Sequence, residues 1–284
     1  MMNYTEMINS ALLQYLPDSD DIVSRAMRYS VGNGGKRIRP ALVLEFCRVC
    51  GGDIESALPL ACAVEMIHSY SLIHDDLPCM DDDDFRRGKP SCHIAFGEEY
   101  ALLAGDALLT LAFETAAKAP LPTERVVSAV SALSKAAGWA GMVGGQVLDL
   151  LNEGREDVTL TDLEETDKLK TGELIRVSCE LGCIAAGAGK KERNAARAYA
   201  AGIGLAFQII DDILDVTGDE SALGKPIGSD ESNDKQTYVS LLGIDKSKET
   251  AQRLTQSAIS ALDAIDADTS ALEAFADSLI KRES

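Results

Sequence analysis

The segment 205–216, LAFQIIDDILDV, constrains this chain more than any other. At 100° per residue, Gln208, Asp211, Asp212 and Asp215 fall within an arc of about 100°. Phe207, Ile209, Ile210, Ile213 and Leu214 occupy the rest of the circumference. A helix that is apolar nearly all round is a buried helix. Buried carboxylates need a cation or a metal, so the acidic stripe faces either a polar cavity or solvent. This helix alone leaves both readings open.

A second helix repeats the pattern. ACAVEMIHSYSLI runs into HDDLPCMDDDDFRRG at 74–88, where six aspartates fall within ten residues. His68 and Asp75 are seven apart, two helical turns, and share a face with Glu65 and Leu72. A solvated acidic loop is the plain alternative, and Asp82 to Asp84 read mainly as such loop polarity. Two acidic helix ends pointing inward would instead make a carboxylate-lined mouth. Oxygen-only donors suit hard divalent ions, magnesium above all, which keeps its waters and bridges phosphates. Zinc would call for Cys or His in a closed geometry.

The basic residues narrow the chemistry further. GNGGKRIRP (32–40) puts Lys36, Arg37 and Arg39 on a Gly-rich loop ahead of a Pro-started helix, where backbone and cations can approach an anion closely. Arg86 and Arg87 form a second cationic pair directly after the aspartates. One phosphate clamp would work through metal and the other directly. Two anionic substrates meeting in one apolar-walled cavity is the function this combination implies.

Helical periodicity dominates the rest of the 284 residues, with no clear alternation of period two. Helices are expected at roughly 5–16, 20–31, 40–50, 57–77, 94–118, 124–139, 162–188, 191–217, 235–243, 247–264 and 269–281. Thr161 with Glu164 fits a capping box, and Pro122-Thr123 fits a helix start. The breaks between segments are too short for an interdomain linker. One all-α domain over 1–284 is the expectation.

The net charge of −19, with a pI near 4.5, argues against nucleic acid as a partner. No run of eighteen apolar residues occurs, so no membrane span is expected. The opening MMNYTEMINSALLQYLPDSDD is acidic and lacks a basic n-region, so no signal or transit peptide is expected. Seven cysteines without framework spacing read as reduced thiols in a cytoplasmic protein. Cys47-x-x-Cys50 and the Cys179/Cys183 pair sit in apolar segments, which favours core packing over zinc or redox chemistry.

GGKRIRP, DDLPCMD followed by RRG, KTGELIR, and FQIIDDILD with a downstream GK together resemble the trans-isoprenyl diphosphate synthases from about residue 30 to the C-terminus. The match is nearest to the bacterial-type farnesyl diphosphate synthases. The resemblance implies an all-helical bundle around a deep central cavity, working as a homodimer with magnesium, three ions per active site. It implies head-to-tail condensation of isopentenyl diphosphate with dimethylallyl or geranyl diphosphate, giving farnesyl diphosphate and pyrophosphate. A geranylgeranyl diphosphate synthase shares nearly every motif. A non-catalytic subunit of a heteromeric synthase would be expected to have lost aspartates, and a class I terpene cyclase to lack GGKRIRP.

Carried over residue by residue, the resemblance puts magnesium on Asp75 and Asp81, with Asp76 in support, and on Asp211, helped by Asp212 and Asp215. Arg86, Lys170 and Lys225 would hold the allylic diphosphate. Lys36, Arg39, His68 and Arg87 would hold isopentenyl diphosphate. The Thr171 carbonyl and the Gln208 amide oxygen would face the developing carbocation. Gln146 and Asp149 in GGQVLD match a further family motif and would act only through residues that touch substrate. Tyr70, five residues before the first motif and beside Ser71, would set product length. Asp75 and Asp81 are about 240° apart on a regular helix. A π-type bulge or kink near Pro78 is therefore expected between Ile73 and Asp81.

Overall fold

A computed structural model describes residues 4–217 and 236–281. The described residues contain fourteen α-helices of five or more residues, with a single two-stranded hairpin. In chain order the helices are α1 (Thr5–Tyr15), α2 (Ile22–Gly32), α3 (Ile38–Val49), α4 (Ile54–Asp75), α5 (Cys92–Phe96), α6 (Glu98–Ala117) and α7 (Thr123–Ala137). There follow α8 (Met142–Asn152), α9 (Leu160–Asp167), α10 (Glu173–Ala186), α11 (Lys190–Thr217), α12 (Tyr238–Leu242), α13 (Ile244–Ala261) and α14 (Ser270–Ile280). The all-α expectation holds.

Helix α4 is the axis of the largest core. Leu60, Ala61, Cys62, Ala63, Val64, Met66 and Ile67 are fully buried around its whole circumference, between α3, α6 and α10. It starts at Asp53, whose carboxylate accepts from the Ser56 amide at 3.1 Å, and so begins three residues before the periodicity suggested. A second core gathers around Tyr199, where α3, α10, α11, α13 and α14 meet, and its hydroxyl donates to the Leu272 carbonyl at 2.7 Å. Ile209, Ile210 and Ile213 of α11 close a third with Tyr238. The near-complete burial of α11 at this end matches its sequence pattern.

The expected helix 94–118 is divided at Gly97, and four further local features differ from the sequence reading. The capping box of α9 lies at Thr159 and Asp162, two residues earlier than expected. The expected helix 162–188 is divided by a π-helical turn over Lys168–Gly172. Met142–Asn152 is helical although its start is rich in glycine. Phe85–Arg86 and Lys89–Pro90 pair as a hairpin whose two-residue turn, Arg87-Gly88, has φ of 56° and 73°.

The irregularity expected near Pro78 takes another form. Helix α4 stays regular to Asp75 and stops, with no π-bulge. A wide turn then brings the Asp81 amide onto the Asp75 carbonyl at 2.9 Å. The turn returns Asp81 to the side of Asp75 by ending the helix instead of bulging it. The membrane expectation also needs correcting. Ile54–Asp75, Glu98–Ala117 and Thr123–Asn152 are long and apolar enough to cross a membrane by length and composition, although 72% of the first window is buried inside the protein.

Candidate active site

The Gly-rich loop is anchored by its central arginine. Arg37 adopts a left-handed conformation, φ 48°, immediately before α3 and is 5% exposed. Its guanidinium pairs with Glu65 of α4 at 2.6 Å and donates to Asn9 Oδ1 and the Val31 carbonyl. Arg37 is thereby spent on structure. Its neighbours Lys36 and Arg39 line a cavity of about 540 Å³ with His68, Arg87 and Phe207. The four residues expected to hold isopentenyl diphosphate are therefore brought together.

One buried donor in this cavity lacks a hydrogen-bond partner among the described residues. Arg39 Nη1 lies 3.4 Å from His68 Nε2, while Arg39 Nε is buried without a hydrogen-bond partner among the described residues. Arg87 donates to the Gly34 carbonyl, and a Cβ on Gly35 would stand 2.5 Å from its guanidinium. Only glycine, at φ 122°, admits that approach. Burial lowers the Arg39 guanidinium, with Glu65 opposing. Burial, then Arg39, Arg87, Arg37 and Arg86, hold the His68 imidazole well below its usual 6.5. A neutral His68 among arginines can accept or donate as an anion requires.

The aspartates divide between roles. Asp75 is half-buried and Asp81 exposed, on the rim made by the wide turn. Burial pushes the Asp75 carboxyl up to about 6; Lys170 and Arg86 oppose this, and the Asp81 and Asp76 charges add to it. Asp76 does not join them. It is 2% exposed and ion-paired with Arg86, which also reaches Asp83 at 3.1 Å. One residue along α4 is a 100° rotation, which carries Asp76 away from the rim and onto the hairpin. Arg86, expected on the allylic diphosphate, is consequently held by two carboxylates, and Asp83 is more than loop polarity.

Helix α11 is similarly split. Phe207 lines the cationic cavity, and the Asp211 charge one turn later is felt by Arg39. Gln208 and Asp212 face a separate polar pocket of about 200 Å³. There Asp212 accepts from the Tyr238 amide at 2.9 Å and from Gln208 Nε2 at 3.2 Å. Asp212 is thus used to fasten α12, and Asp215 is 4% exposed. The single acidic arc expected from the sequence serves two pockets.

The π-helical turn supplies the other wall of that pocket. Lys170 Nζ pairs with Asp149 of α8 at 2.7 Å, and Thr171 Oγ1 lies 3.5 Å from Gln208 Oε1. Asp149 therefore stands directly behind Lys170, while Gln146 Nε2 is buried without a partner among the described residues. Asp167 was missed. Burial and the Asp212 charge push its carboxyl up to about 8, yet in sequence it looks like one more acid on a polar helix. Tyr70 is buried against the His74 ring at 5.6 Å, and Ser71 Oγ donates to the His68 carbonyl at 3.0 Å. Lys225 lies outside the described residues.

The rim where magnesium is expected presents carboxylate oxygens. Among the described residues no three side chains of His, Cys, Asp or Glu form a closed metal group. Asp75 and Asp81 offer oxygens only, at a rim where each carboxylate feels the other's negative charge. That suits a hard ion that takes its remaining ligands from water and phosphate, and not a closed zinc site.

A family model for polyprenyl synthetase matches residues 20–274. The chain belongs to the polyprenyl synthetase family. It is 48% identical over 270 residues to a heterodimeric geranylgeranyl pyrophosphate synthase large subunit of Arabidopsis thaliana, covering 93% of this chain and 73% of the relative. It is 49% identical over 251 residues to a geranylgeranyl pyrophosphate synthase of Catharanthus roseus, covering 88% and 70%. A crystal structure of an FPP/GFPP synthase from Zymomonas mobilis superposes with a TM-score of 0.87 at 38% identity, covering 97% of this chain and 95% of the other. The chain is a trans-isoprenyl diphosphate synthase with the all-α fold of that family. The cytoplasmic expectation is overturned here: both plant relatives are chloroplastic by name, so scattered thiols and the opening residues are no guide to compartment.

The histidine generates a test. Unfolded, His68 takes a proton near pH 6.5; folded, it does so only at much lower pH. The unfolded state binds more protons in that window, so His68 lowers stability as pH falls below about 6.5. In an NMR titration His68 should stay neutral through that window, and Arg39→Gln should move its titration upward. A His68 resonance titrating at its ordinary value would contradict this electrostatic picture.

Proposed function

We propose that this protein condenses isopentenyl diphosphate with an allylic diphosphate, head to tail, releasing pyrophosphate. The observation that carries the reading is the cationic cavity of Lys36, Arg39, His68 and Arg87 beside the Asp75/Asp81 rim. Lys36, Arg39 and Arg87 hold the diphosphate of the homoallylic substrate, and His68 completes the clamp as a neutral partner. Asp75, Asp81 and Asp211 would hold magnesium, which when bound neutralises the allylic diphosphate as a leaving group. Lys170, held in place by Asp149, binds the same diphosphate. The Thr171 carbonyl and the Gln208 amide oxygen face the cation that forms when the allylic C–O bond breaks, and their dipoles stabilise it. The isopentenyl double bond then makes the new C–C bond, and a proton leaves to pyrophosphate.

For product length we propose geranylgeranyl diphosphate, a C20 chain. The names of both plant relatives support this over the farnesyl product that the motifs suggested. Farnesyl diphosphate remains a second reading because Tyr70 presents a buried ring five residues before Asp75 on the same helix. Incubation with both diphosphates and magnesium should give the C20 product, and none in excess chelator. Product that stops at C15, and lengthens in Tyr70→Ala, would favour the second reading. Undiminished turnover in chelator would sink the metal assignment altogether.

A homodimer is the proposed assembly. Trp139 is 86% exposed, and Val143, Val147, Leu150 and Leu151 expose an apolar face of α8. Light scattering should give twice the chain mass of 30.3 kDa. A monomer mass would remove the self-association and leave the heteromeric arrangement named for one plant relative.

A further inference from the structure

Two cysteines that the reaction does not use lie within reach of each other. Cys50 ends α3, Cys183 lies in α10, and their sulfurs are 3.7 Å apart although 133 positions separate them. The approach is built in by the packing. A Cβ on Gly182 would stand 2.7 Å from the Cys47 amide nitrogen and from Phe46 Cβ, so α3 and α10 touch without a side chain between them. Cys183 is fully buried beside this contact, whereas Cys50 is half-buried and so keeps some solvent exposure. Cys47 is fully buried and Cys179 likewise, so neither offers that access.

We propose that Cys50 and Cys183 form a reversible intramolecular disulfide by exchange with a small-molecule disulfide such as oxidised glutathione. The Cys50 thiolate attacks one sulfur of the reagent, forming a mixed disulfide and expelling one thiolate. The Cys183 sulfur then attacks Cys50, forming the internal bond and expelling the second. The protein loses two protons and two electrons, and the reagent is reduced to two thiols. The hydrogen bond from Cys183 holds the Cys50 thiol below its ordinary range, against the effect of burial, which favours Cys50 as the attacking group.

The consequence is on stability more than on turnover. Cys50 lies about 16 Å along α3 from Arg39, at 1.5 Å per residue, away from both pockets. The closed loop contains the aspartate helix, the hairpin and the Lys170 turn, and a long loop constrains the unfolded chain most. The bond would therefore raise the melting temperature of the segment that carries the site.

The test uses the full chain incubated with oxidised glutathione and digested without reduction. A linked Cys50–Cys183 peptide is expected, with a melting temperature several degrees above the reduced protein and reversal by dithiothreitol. Cys50→Ser should lose both the link and the shift, whereas Cys79→Ser, at an exposed thiol, should keep both. Cys50 is only half-buried, so its serine variant folds even where Cys183→Ser does not. A glutathione adduct left unresolved on Cys50, a link between other cysteines, or a linked protein with unchanged melting would each overturn the proposal.

Discussion

The ion pair between Arg37 and Glu65 sets the geometry on which the site depends. It is 2.6 Å long with both side chains almost fully buried, a situation tolerated only where each charge has its partner. Arg37 joins the Gly-rich loop to the middle of α4, and α4 carries Glu65, His68 and Asp75 along one face. Fixing Arg37 therefore fixes Arg39 against His68, and by the same helix fixes both relative to Asp75. Loss of either partner would strand a buried charge, typically a cost of about 3–5 kcal/mol. A loop of three glycines could not hold its cations in register without such an anchor.

Around that anchor the molecule separates positive from negative charge within one cavity region. The cationic pocket lies on the Phe207 side of α11, and the Lys170 pocket on the Gln208 side, one residue of rotation apart. The aspartates at the end of α4 stand at the rim. Several charges that look available in sequence are consumed in building this arrangement: Arg37 by Glu65, Asp76 by Arg86, and Asp212 by the Tyr238 amide. The chain's large negative charge makes those local cations decisive for any anionic ligand.

Most of the helices were legible in the sequence because their apolar residues recur at helical spacing over ten or more positions. Helix α8 was not, since three glycines precede its polar face in GMVGGQVLD. The hairpin at Phe85 escaped because strands of two residues show no alternation. A π-helical turn at Lys168–Gly172 shifts register by one residue, which a 3.6-residue pattern cannot register. The pairing of site residues was only partly legible: Arg39 with His68 follows from motif order, but Asp76 with Arg86 depends on a 100° rotation that only the folded helix reveals. Asp167 gave no signal, being one acid among EETD until burial distinguishes it.

The central claim is that one diphosphate is held by cations alone and the other through carboxylates and metal. Calorimetric titration of isopentenyl diphosphate into the protein in excess EDTA addresses it directly. Binding should persist without divalent metal. Arg39→Ala should weaken it roughly tenfold to a hundredfold, as expected for loss of a charge-assisted contact of about 1.5–3 kcal/mol. Binding that appears only after magnesium is added, or that is indifferent to Arg39→Ala, would contradict the account.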